Sequence, residues 1–247
     1  MSRFPGFDVA SSESEKQSLL SRYAFESMYP ALSSLEAVIK NGFPADFDFM
    51  VEWVCDPKAP FEERYVFVSL LDRKGRAEVT FGLSSPEIMF PTLSAGYLIL
   101  HKDFQKKGIG TKLAGLMFSF ADNHKIDYVK TSANLDVGCY SWAAMGARPS
   151  EPSEVKQQLL NRIGKLVQDR HWPLSIASQF RDYIRTTNDP DFMLNLAYFV
   201  PEVAAPQRNY AKELLSGALL GDWNWKAYWD LNDPFQRQVL EDLIEKG

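Results

Sequence analysis

The sequence predicts an α/β (α+β) fold: a mixed, mostly antiparallel sheet flanked by helices, with a helical insertion near the C-terminus. Three observations carry that expectation. Helical spacing in the first 41 residues gives way to β-prone runs between positions 46 and 83, which read as an antiparallel meander. The run Ala95–Leu100 then feeds a glycine-containing turn and at once a helical pattern. From Glu151 onward apolar residues recur at i+4, until strict period-two alternation returns at Trp223. With 247 residues and 45% hydrophobic content the chain can bury a sizeable core, as one large domain or two small ones.

The first dozen residues, rich in Ser, Gly and Pro, are expected to be loose. Ser12 with Glu15 three residues later is a capping-box signature, so a helix should run from there to about Met28. Leu32, Leu35, Val38 and Ile39 then keep helical spacing up to the stop "NGFP". Strands are expected over Asp46 to Val54, Arg64 to Leu71 and Arg76 to Leu83, the last after the turn "DRKG". Ala95 to Leu100 is the next strand, Ile109 to about Asn123 a helix, and Asp127 to Ala133 another strand. A short helix from Val137 to Met145 should be stopped by Gly146.

Val155, Leu159, Ile163 and Val167, with the segments around Phe180, Leu194 and Leu214, make residues 151–221 a helical insertion. Trp223, Trp225, Ala227, Trp229 and Leu231 alternate as a half-buried strand, and a helix from Pro234 to about Ile244 closes the chain. Residues 1–150 are therefore expected to form a core to which residues 222–247 return.

The turn "QKKGIG" invites a phosphate. Gly108 and Gly110 let backbone N–H groups approach a ligand, and the next helix offers unpaired first-turn donors and its positive dipole end. Lys106 and Lys107 add charge, and Thr111 adds a hydroxyl donor. The spacing is neither that of a nucleotide triphosphatase loop nor a full G-x-G-x-x-G dinucleotide turn.

Gln105-x-x-Gly108-x-Gly110, placed just beyond a strand ending at Leu100, resembles the acyl-CoA pyrophosphate motif of the GNAT N-acyltransferase superfamily. Downstream, "SANLDVGCYSWAAMGARP" is similar to that family's second block, with Asn134 at a strand end and Gly146 closing a helix. The resemblance covers residues 12–150 and resumes at 222. It implies acetyl-CoA as acyl donor and an amine acceptor, small molecule or protein, which attacks the thioester directly while a backbone N–H stabilises the oxyanion. Carried over, Ile99 and Leu100 supply the strand edge that pairs with pantetheine, where the motif strand splays from its neighbour. Gln105, Lys106, Lys107, Gly108, Ile109, Gly110 and Thr111 hold the pyrophosphate, and Asn134 contacts pantetheine. The alternative is a catalytically weak or inactive GNAT-like acyl-CoA-binding interaction protein.

Two departures from the family pattern favour that alternative. Where the family often places a proton-donating Tyr, four residues before the helix-ending Gly, this chain has Trp142, which has no acidic hydroxyl. Tyr140 is the candidate acid, yet it lies about 200 degrees round the helix from that position and reaches the thiol only if the register differs. Otherwise it packs or faces water, and solvent protonates the thiolate. The family's strand Glu is also missing, which leaves Asp46, Asp48, Glu52, Glu78 and His101 as possible bases, each with a plain reading as a solvated or capping residue. Cys139 reads as a small buried cysteine.

Composition excludes several classes. A formal charge of -5 lacks the basic face that nucleic-acid binding needs. Two distant cysteines suggest neither a disulfide scaffold nor a metal site. No signal core or membrane span is seen, so a cytoplasmic protein is expected.

Overall fold

Ser12 opens the first helix as its spacing demands. Its hydroxyl accepts the Glu15 amide, and the Ser12 amide and hydroxyl both donate to the Glu15 carboxylate and hold that carboxyl below its ordinary range. A computed structural model describes residues 4, 6–60, 64–84, 92–105, 107–133, 138–202, 208–217, 219–221 and 223–246. It divides into two compact units, residues 1–131 with 230–247, and residues 132–229.

In the first unit, helix α1 (Glu13–Arg22) stops before Met28, the expected end. Ala24 turns into the left-handed region (φ 61°), and the Phe25 amide bonds back to the Leu20 carbonyl, so that the Phe25 ring is wholly buried. Burial of an aromatic side chain outweighs one more helical turn. A 3₁₀ turn (Glu26–Met28) leads into α2 (Tyr29–Asn41), whose Leu32, Leu35 and Ile39 are buried.

The N-terminal residues expected to be loose form a strand instead, β1 (Asp8–Ala10), paired antiparallel with β2 (Phe49–Cys55). Arg22 and the Tyr23 hydroxyl both donate to Asp8, which anchors this strand against α1. Strands β3 (Tyr65–Asp72), β4 (Ala77–Ser84) and β5 (Thr92–Leu100) continue the antiparallel meander. Helix α3 (Ile109–Asn123) follows, and β6 (Tyr128–Ala133) pairs parallel to β5, so the sheet is mixed.

One sheet face carries Trp53, Val68, Leu70, Val79 and Leu93, all buried. Phe81 on that face lines a small crevice together with Leu35, Val38 and Ile39 of α2 and Leu113, Leu116 and Met117 of α3. Each fully buried side chain of this size contributes about 1.5–3 kcal/mol. Inside the layer the buried Lys16 amine donates to Glu36 at 2.9 Å, and the Trp53 indole donates to the same carboxylate at 3.0 Å.

The β3–β4 turn is fixed by Asp72, whose side chain is fully buried and accepts the amides of Asp48, Lys74 and Arg76 as well as the Arg76 guanidinium. Arg76 in turn reaches Asp46 and lies 4.0 Å above the centre of the Phe47 ring. Helix α9 (Pro234–Lys246) also belongs to this unit, since Arg237 donates to Asp122 of α3, and the amide of Leu231 bonds to the Asp127 carbonyl at 2.9 Å.

The second unit holds α4 (Gly138–Ala144), β7 (Arg148–Pro149), α5 (Pro152–Gln168), α6 (Leu174–Thr186), α7 (Phe192–Ala197), α8 (Tyr210–Leu215) and β8 (Trp225–Asp230), the last shared at its end with the first unit. The expected tryptophan alternation holds from Trp225 on, where Trp225, Ala227 and Trp229 are buried and β8 pairs antiparallel with β7, whereas Trp223 precedes the strand and is half-buried. On α5 the buried stripe is Val155, Leu159, Ile163 and Leu166 rather than Val167. Two buried arginines knit the helices. Arg148 makes a two-pronged bond to Asp191 at 2.8 and 2.7 Å. Arg162 donates to the carbonyls of Leu214 and Ser216 at the end of α8, and burial pushes its guanidinium below its usual value.

Candidate functional site

Strand β5 changes partners part-way along. Among the described residues its ladder with β6 ends at Ala95↔Thr131, where the Thr131 hydroxyl donates to the Ala95 carbonyl at 2.7 Å. From Gly96 to Leu100 only the β4 ladder continues. Beyond Ala95 the β6-side backbone edge of β5 therefore has no ladder partner among the described residues.

At the same point β5 bulges. Thr80 pairs with Tyr97 and Phe81 with Ala95, which leaves Gly96 as the extra residue. A Cβ on Gly96 would stand 2.7 Å from the Thr80 carbonyl oxygen, so only glycine lets the two strands stay this close. Leu93 and Ala95 point to the helix-packed face, as Leu98 and Leu100 do, whereas Tyr97 joins Thr80 and Glu78 on the opposite face. There the Tyr97 hydroxyl donates to the Glu78 carboxylate.

The strand runs into the glycine turn. His101 caps a short 3₁₀ segment (Lys102–Phe104), and the Gln105 side-chain amide donates to the Leu100 carbonyl at 3.0 Å, tying the turn to the strand end. Lys107 is exposed, with its amine 4.8 Å above the Phe104 ring centre. Gly108 takes the left-handed conformation (φ 76°) as the N-cap of α3 and provides no side-chain cap. Among the described residues no side chain caps the first turn of α3. Ile109 is buried beneath the turn, Thr111 is half-buried, and the first turn of α3 lies against β5, with Leu98 the nearest side chain to Gly110. No family model, curated protein or solved structure matches this chain.

Of the residues read from the sequence, Ile99 and Leu100 end β5, Gln105, Lys107 and Gly108 lie between it and α3, and Ile109, Gly110 and Thr111 open α3, all in the first unit. Ile99 is 51% exposed. Lys106 and Asn134 lie outside the described residues. Tyr140 sits in α4 of the second unit, half-buried, with the Lys212 amine 5.9 Å from its ring centre. Trp142 packs edge-on against Trp229, and the Cys139 thiol donates to the carbonyls of Ala133 and Trp223.

The candidate bases part company. Asp46 and Asp48 precede β2 rather than sharing its face and are engaged by Arg76 and Arg73. His101 is a cap. Glu52 keeps one buried carboxylate oxygen that has no hydrogen-bond partner among the described residues. Glu78, set aside as a strand-face charge, is the one paired with a phenol, that of Tyr97 on β5. The sequence signal was the Ala-Gly-Tyr step, where a strand glycine marks a bulge.

Proposed function

We propose that this protein is a GNAT-like N-acyltransferase that transfers an acetyl group from acetyl-CoA to an amine acceptor by direct attack. The observation that carries the reading is the continuous run from a strand edge with no ladder partner among the described residues, at Gly96 to Leu100, into the left-handed Gly108 turn and the first turn of α3, which no described side chain caps. An extended pantetheine arm can pair with that strand edge as a further strand would. The pyrophosphate then falls at the helix N-terminus, where N–H groups, the dipole and Lys107 all favour negative charge. In this reading the amine nitrogen bonds to the thioester carbon, the carbon–sulfur bond breaks, and a backbone N–H steadies the oxyanion between.

The test is calorimetry and thermal unfolding with acetyl-CoA. Binding to the native state should raise the melting temperature as ligand exceeds its dissociation constant. Gly108→Asp should abolish the binding while the protein still folds: an added Cβ meets nothing within 4 Å, and although the left-handed backbone strains any side chain, Asp adopts it more readily than most. Absence of heat and of thermal shift at millimolar acetyl-CoA, or unchanged affinity in the folded variant, would overturn the proposal.

A further inference from the structure

Directly after the bulge in β5 stands a proton donor that the family motifs do not supply. A regular strand would send Tyr97 to the same side as Ala95 and Leu93, into the helix-packed core. The bulge at Gly96 inverts the alternation and delivers Tyr97 to the opposite face, two residues beyond the last β5–β6 pair. Bulges gather next to active sites because they re-aim a side chain in this way. The phenol is half-buried and donates to Glu78, a carboxylate on the neighbouring strand that is itself half-buried. Trp142, at the position where the family places its acid, packs against Trp229 and has no acidic hydroxyl.

We propose that Tyr97 and Glu78 are the proton-handling pair of the acyl transfer, an inference that rests on the acyl-CoA reading above. Attack by the amine leaves a positively charged nitrogen carrying one proton too many, and collapse of the adduct releases the coenzyme A thiolate. The Tyr97 hydroxyl gives its proton to the sulfur. The Glu78 carboxylate takes the proton from the nitrogen and returns it to the Tyr97 phenolate, so both side chains end as they began. The net change is an amine and a thioester giving an amide and a thiol.

The experiment needs no acceptor. Coenzyme A itself is bound to the full chain, and its thiolate is titrated by ultraviolet absorbance near 240 nm, with affinity measured in parallel. A phenol beside the sulfur favours the thiolate and a carboxylate disfavours it, so the two variants should move in opposite directions. Tyr97→Phe should raise the pKa of the bound thiol by roughly one unit, and Glu78→Gln should lower it, with coenzyme A affinity nearly unchanged in both. A pair that merely braces two strands would move neither value. Bound thiol that titrates alike in all three proteins would overturn the inference and leave the acyl-CoA reading standing; failure of all three to bind coenzyme A would overturn that reading and this inference with it.

Discussion

Glu52 is an uncomfortable residue. One of its carboxylate oxygens is buried with no hydrogen-bond partner among the described residues, on a strand position directly opposite Ser69, which is itself buried. A buried polar atom with no hydrogen bond costs about 1–3 kcal/mol, more than the half-exposed remainder of the side chain recovers. Glu52→Met fills the same space without that oxygen and should raise stability by about 1 kcal/mol, seen as a higher denaturant midpoint at unchanged slope. A lower midpoint would mean that the carboxylate has a partner in solution. Trp225 carries the same kind of orphan, a buried indole N–H, on the alternating face of β8.

At the scale of elements, the β3–β4 hairpin depends on one carboxylate. The Arg76 guanidinium, followed by the amides of Asp48 and Arg76, holds the Asp72 carboxyl far below the usual carboxylate range. A group whose folded value lies below its unfolded value contributes its full stability above the unfolded value and loses it as pH falls towards the folded one. Stability should therefore decline progressively below about pH 4 as Asp72 is protonated, and Asp72→Asn should flatten that acid limb. The same variant should cost about 2–4 kcal/mol at neutral pH, because it strands Arg76 and several amides at once. A pH–stability profile of the two proteins by urea unfolding checks both statements.

Legibility of the elements followed the strength of their periodic signals. The capping box at Ser12, the meander, α3 and the alternating tryptophans each satisfy a rule of two or 3.6 residues over many positions, so they were readable. Strand β1 was not, because three residues hold no period and its place is fixed by Arg22 and Tyr23 reaching Asp8. Nor was the end of α1, where Phe25 finds the core. The glycine turn was visible as composition and spacing. The Tyr97–Glu78 pair was hidden, because a one-residue bulge reverses which side chains share a face and only the register with β4 reveals it.

For the molecule as a whole, the first unit is discontinuous in sequence: residues 230–247 complete what residues 1–131 begin. Leu231 and Leu240 are buried, Gln236 is 1% exposed, and Arg237 bonds to Asp122 of α3. Ending the chain after Asp230 removes those contacts and uncovers part of α3. The melting temperature should fall by on the order of 10 °C, measured by circular dichroism, and an unchanged value would show that α9 adds nothing to the unit.

The amide of Leu231 meets the carbonyl of Asp127, and the side chains of Asn232 and Asp127 bond at 2.9 Å. The first unit thus ties Asp127, just before β6, to Leu231, just after Asp230, so residues 132–229 lie within a loop whose ends are already held together. Closure entropy grows only with the logarithm of loop length, and doubling the loop would add about 0.6 kcal/mol. This junction is a place where a lineage can lengthen, shorten or exchange sequence at small thermodynamic cost, while β5 and its glycine turn stay as they are.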